Sequence, residues 1–83
     1  MKFSNKELEV QQQKTRSDLL DQYIQYRLLK SMTQQDLAER LQVSRQVVTR
    51  FESKEYNPTL DMLVKLADGL GLELEIRLIE KKE

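Results

Sequence analysis

In the stretch TQQDLAERLQVSRQVVTRFES, Thr33 to Ser53, two short apolar-patterned segments stand only three or four residues apart. So short a connection leaves them one arrangement, two short helices packed across a tight turn. Thr33 caps the first, Gln34 to Leu41, with Asp36 at its third position favourable to the helix dipole. Leu37, Ala38 and Leu41 supply its inward stripe. Ser44 caps the second, which runs to about Glu52 with Val48 and Phe51 inward, and Val43 in the turn is also expected to be buried. The outer face of this second helix carries Arg45, Gln46 and Arg50, long hydrogen-bonding side chains with no obvious intramolecular use.

The rest of the chain reads as support for that pair. From Ser17, a possible cap, Leu20, Ile24 and Leu28 recur at helical spacing to about Lys30, with Tyr23 and Tyr26 or Arg27 near them. Pro58 stops one element and Thr59 caps the next, in which Leu60, Leu63, Leu66, Ala67 and Leu70 face inward. Gly69 and Gly71 suit its C-terminal end. Residues 1–15 form a polar arm, helical or loose. Ser4 and Glu7 make a possible capping box there, but Phe3, Leu8 and Val10 give little apolar face to dock. The segment LELEIRLI alternates, with Leu72, Leu74, Ile76 and Leu78 on one face and Glu73, Glu75 and Arg77 on the other. That is the period of a half-buried strand, although Leu72, Ile76 and Ile79 also match helical spacing. A lone strand leaves its backbone groups unmet, so a strand here needs the same segment of a second copy. The chain thus divides into an arm (1–15), a helical domain (16–71) and a C-terminal dimerisation strand with a charged tail (72–83).

Composition narrows the function. Eighty-three residues fit one domain. There is no cysteine and no histidine, which removes disulfides, thiolate and imidazole metal sites and the usual general base. Nothing pairs the carboxylates in a recognisable cleft, so no enzyme activity and no cofactor are expected. No apolar run approaches the roughly 18 residues of a membrane span, and the N-terminal stretch has no apolar signal-peptide core, so a cytoplasmic protein is expected. The net charge is zero, but its distribution is uneven. Residues 27–54 hold six basic against three acidic residues, a net of +3, and residues 55–83 hold four against seven, a net of −3. Because salt screens charges beyond roughly 8–10 Å, the local basic patch rather than the total governs approach to a phosphate surface.

Two short helices, a tight turn and a serine cap describe a helix-turn-helix. The longer run RLLKSMTQQDLAERLQVSRQVVTRFESKEYNPTLDMLVKLADGLGL resembles the Xre, or lambda-repressor-like, family over about residues 20–72, with TQQDLAERLQVS, VVTRFE, NPTLDML and KLADGLGL in the family's order and spacing. The resemblance implies an all-α domain of four main helices. It implies that Gln34 meets phosphate at the start of the second helix, and that Ser44, Arg45, Gln46, Thr49 and Arg50 lie on the exposed face of the recognition helix. Independently of the family, Arg can donate two bonds to guanine O6 and N7, Gln can pair with adenine N6 and N7, and Val47 can touch a thymine methyl. Lys54 and Asn57 suit phosphate contact. Arg27 and Glu52 match a pair that the family uses internally. The family often has glycine at the positions of Ser31, Gln42 and Lys54, where the chain turns with positive φ; none is glycine here.

The alternating tail with its charged EKKE end resembles small antitoxins of type II toxin–antitoxin operons, the HigA-like and HipB-like groups, in which a closing strand follows the last helix. That resemblance implies a homodimer which binds palindromic operator DNA, represses its own operon and binds a toxin. A stand-alone or phage-derived regulator without a toxin is the alternative.

Overall fold

A computed structural model of the protein describes residues 5–82. Among these residues the chain forms four helices: α1 (Asn5–Leu29), α2 (Gln34–Leu41), α3 (Arg45–Ser53) and α4 (Leu60–Gly69). α3 packs on α1 and on α2, and α2 packs on α4. The core gathers Leu20 and Tyr23 of α1, Leu37 and Ala38 of α2, Val48 and Phe51 of α3, and Leu66, Ala67 and Leu70 at α4. Tyr23 meets Phe51 edge to face, ring centroids 5.0 Å apart. Its hydroxyl donates to the Leu63 carbonyl at 2.7 Å, so the polar tip of a buried ring is satisfied. Gly69 lets α4 approach α2 closely: a Cβ there would lie 2.6 Å from Leu41 Cδ2 and 3.0 Å from Leu37 Cδ1.

Three helices end alike. After α1, Met32 N donates to Arg27 O and Ser31 N to Leu28 O, both at 3.0 Å. After α2, Val43 N donates to Ala38 O at 3.0 Å and Gln42 N to Glu39 O at 3.2 Å. After α4, Leu72 N donates to Ala67 O at 2.8 Å and Gly71 N to Asp68 O at 2.9 Å. These are Schellman closures, each turning on one left-handed residue: Ser31 (φ 55°), Gln42 (φ 58°) and Gly71 (φ 75°). The residue that follows each turn, Met32, Val43 or Leu72, packs against the core. Each stop signal therefore also delivers an apolar side chain. Lys54, beyond α3, is left-handed as well, at φ 66°.

The start signals divide. Thr33 accepts from Asp36 N at 2.9 Å and its own N–H donates to Asp36 Oδ2 at 2.9 Å, a reciprocal capping box. Thr59 accepts from Met62 N at 3.1 Å. Ser44 occupies the cap position of α3, but its side chain makes no capping bond.

The structure departs from the sequence reading in three further places. Ser17 caps nothing, because α1 runs unbroken from Asn5. The upstream turns contain no Gly or Pro and are rich in Gln, Glu and Lys, good helix formers. Gln11 adds a bond to Thr15 at 3.3 Å and Lys14 one to Asp18 at 2.6 Å, one turn on. The expected Ser4 cap, like Phe3, lies outside the described residues. Leu28 and Leu60, read as inward, are 55% and 59% exposed, each at the end of a helix that overhangs the core. Finally, residues 72–82 carry no strand and no helix. Leu72 and Leu74 pack partly against the chain's own core, whereas Ile76 is 59% and Leu78 fully exposed. A strand is defined by its ladder bonds, and no segment among the described residues pairs with this one.

Candidate nucleic-acid interface

The α2–turn–α3 unit presents one continuous outer face. Core packing of Val48 and Phe51 fixes the rotation of α3. The opposite positions, Arg45, Gln46, Thr49 and Arg50, are thereby exposed, as is Ser44 before them, while Val47 is half-buried. The face carries two arginines and no acidic side chain of α3, because Glu52 points the other way.

Glu52 meets Arg27 of α1. Arg27 Nε donates to Glu52 Oε2 at 2.7 Å and Nη2 donates to Oε1 at 2.9 Å, a two-pronged pair whose side chains are about one-tenth exposed. Arg27 Nη1 donates to the Met32 carbonyl at 2.8 Å. The bonds it donates to Glu52 hold the Arg27 guanidinium pKa above its ordinary value, against the burial that acts to lower it. Gln34 joins the same network, its amide N–H₂ donating to Glu52 Oε1 at 2.9 Å and its Oε1 accepting from the Thr49 hydroxyl at 2.9 Å. The first residue of α2 is thus latched to the middle of α3, and the angle between the two helices is set by side-chain bonds as well as by packing.

Beyond α3 the chain folds back toward α1. The Arg50 guanidinium lies 6.0 Å from the centroid of the Tyr56 ring. Lys54 Nζ pairs with Asp21 Oδ1, and Asn57 Oδ1 accepts from Arg16 Nη1. Hence the residues assigned to phosphate contact from sequence do not stand free: Gln34 is engaged by α3, and Lys54 and Asn57 by α1. The α1 partners, Arg16 and Asp21, have no sequence signal, since they lie 41 and 33 residues from their partners, and Arg16 falls upstream of the helix start expected at Ser17. Leu72, Leu74, Ile76 and Leu78 lie apart from this face, on the segment after α4.

Among the described residues no group of three or more acidic, histidine or cysteine side chains gathers to hold a metal. No helix among them is long and apolar enough to cross a membrane.

Comparison with known proteins agrees with this geometry. An uncharacterized HTH-type transcriptional regulator of Methanocaldococcus jannaschii is 42% identical over 50 residues, spanning 60% of this chain and 76% of that protein. No solved structure matches significantly. The helix-turn-helix family HTH_3 matches residues 24–76, a span that contains α2, the turn and α3 together with most of the core beneath them. That match covers well over half of the chain, so the chain belongs to this Xre-like helix-turn-helix family.

Proposed function

We propose that the protein is a sequence-specific DNA-binding transcriptional repressor in which α3 enters the major groove. The observation that carries this reading is the face of α3: Arg45, Gln46 and Arg50 project from a helix whose other side is locked into the core. These side chains have the donors and acceptors that guanine and adenine edges require. The relative's description as a transcriptional regulator points the same way. Ser44, Val47 and Thr49 complete the reading surface, and Gln34, Lys54 and Asn57 lie where the phosphate strands would pass. The test is binding to the DNA upstream of its own gene. Alanine at Arg45, Gln46 or Arg50 lowers affinity by about 1–3 kcal/mol each. Unchanged affinity in all three variants would sink the assignment.

Residues 16–71 act as the DNA-binding unit and residues 72–83 join two copies. The support is the alternating segment, which leaves Ile76 and Leu78 exposed and forms no strand with any described segment. A second copy of the segment meets both needs. The two α3 helices then reach half-sites about 34–36 Å apart or a multiple of that. A chain cut after Gly71 would sediment as a monomer and bind the same DNA weakly; a dimer after truncation would refute the pairing.

The finer reading is an antitoxin that binds a toxin and represses its own operon. It is supported by a net charge of −3 after residue 54 beside exposed Ile76, Leu78 and Ile79, a surface suited to a basic protein. A stand-alone regulator is the second reading, favoured by the plain regulator description of the relative. Co-expression with the neighbouring gene product separates them: a complex that survives purification carries the antitoxin reading, and a lone dimer that shifts its own promoter carries the other.

A further inference from the structure

We infer that Arg16, upstream of the span matched by the family, is a contact to the DNA backbone, completed by Asn57 into an anion-binding pair. The inference rests on the proposal that α3 reads DNA. α1 extends to Asn5, and its exposed upstream turns carry Arg16 to the loop that follows α3. Arg16 Nη1 donates to Asn57 Oδ1, and Nε is buried without a partner among the described residues. The orientation of the Asn57 amide follows: its oxygen is turned toward Arg16, which leaves the N–H₂ as its remaining polar group. An arginine has no acceptor at all. The pair therefore presents donors and positive charge, with its acceptor turned inward, which is the complement of a phosphate oxygen and of nothing cationic.

Position identifies whose phosphate. Asn57 is the neighbour of Tyr56, and Tyr56 lies against Arg50 on the reading face of α3. Two contacts joined by one peptide bond, Arg50 with Tyr56 and Asn57 with Arg16, thus link the groove-facing helix to α1. A helix in the major groove is bordered by a phosphate strand on each side, and a donor pair on the loop that follows the reading helix is placed to meet that border. Arg16 would then fix register and add charge without reading sequence.

The experiment titrates the full-length protein against two fluorescein-labelled duplexes over about 50–200 mM salt, one from upstream of its gene and one of shuffled sequence. Arg16→Gln keeps a donor for Asn57 and most of the stem but removes the charge. It is expected to weaken binding to both duplexes several-fold and equally, and to make the salt dependence shallower by about one unit of slope. Arg16→Lys retains most of the slope. An unchanged slope in Arg16→Gln overturns the proposal, whether or not the variant is less stable, because a purely structural arginine changes the melting temperature and not the number of phosphates neutralised. Arg50→Ala, run alongside, identifies which reading fails. If it loses preference for the upstream duplex while the Arg16→Gln slope is unchanged, only the Arg16 contact is wrong; if it too has no effect, the DNA reading of α3 falls with it.

Discussion

Arg27 and Glu52, 25 residues apart, meet through two parallel bonds across the α1–α3 interface, Nε to Oε2 at 2.7 Å and Nη2 to Oε1 at 2.9 Å. Side-chain exposures of 10% and 8% place this pair among the interior groups. A buried ion pair contributes little net stability over an apolar pair of equal volume, but removal of one partner strands the other charge. Arg27→Met is therefore expected to destabilise the fold by about 3–5 kcal/mol, read from urea unfolding. The double change Arg27→Met with Glu52→Leu should recover most of that loss. A single-variant cost below about 1 kcal/mol would mean that water screens the pair as it does surface pairs.

The left-handed turn residues make a second test. Ser31 and Gln42 adopt φ of 55° and 58°, where a side chain costs about 1 kcal/mol and glycine costs nothing sterically. Both are exposed, so no packing is lost on truncation. Ser31→Gly and Gln42→Gly should each raise stability by a few tenths to about 1 kcal/mol, the greater unfolded-state entropy of glycine taking back part of the gain. Thermal unfolding of the two single variants and the pair checks this. A loss of stability in both would show that the Schellman turns depend on these side chains.

The same turns show what a sequence of this kind discloses. Ser31, Gln42 and Lys54, where the family resemblance implies positive φ, all turn that way here without glycine. At Ser31 and Gln42 the local bond pattern is dictated by the helix ends and by the apolar residue that follows, so the geometry is legible even where the residue type is unfavourable. Likewise the 3.6-residue period places Leu20, Leu37, Val48, Phe51 and Leu66 in the core. The start of α1 was not legible by this means. A polar helix has no apolar stripe to betray it, and Ser17 resembles a cap whether or not the helix has already begun. That one omission hides Arg16 at Asn57, since the contact depends on the length of the helix. The tail is ambiguous for another reason. Its alternation states that it has two faces, but a strand exists only with a partner, and no described segment supplies one.

The pair between Lys54 and Asp21 yields a prediction with an unusual sign. Lys54 is positioned near the proposed phosphate border, yet Asp21 of α1 neutralises it. At 31% and 55% side-chain exposure the pair is solvated and contributes little to folding. Asp21→Asn should therefore leave stability nearly unchanged and strengthen binding to the upstream duplex by about 0.3–1 kcal/mol, roughly two- to fivefold. The loss of a negative charge could act at a distance, so the cycle with Lys54→Ala is needed. In the Lys54→Ala background most of the gain must vanish. An equal gain in both backgrounds would mean that Lys54 contacts no phosphate.

The capping box of α2 fixes a pH dependence whose sign can be stated in advance. Asp36 has its pKa lowered from the ordinary 3.8, first by the bond from the Thr33 backbone N–H and then by the Thr33 side chain. A carboxylate with a depressed folded-state pKa stabilises the fold above its unfolded value, and that contribution is lost as the pH falls through the folded value. Asp36→Ala removes the bond to Thr33 N and leaves the hydroxyl cap on residue 36 in place. The variant should thus be less stable than the parent at neutral pH and at pH 5, by the same margin at both. Below pH 3.8 the margin should shrink and then close as the parent carboxyl takes up its proton. Urea unfolding of parent and variant across this range measures the margin directly. A margin that persists in strong acid, or one that widens on acidification, would show that Asp36 supports α2 through something other than its charged bond to Thr33.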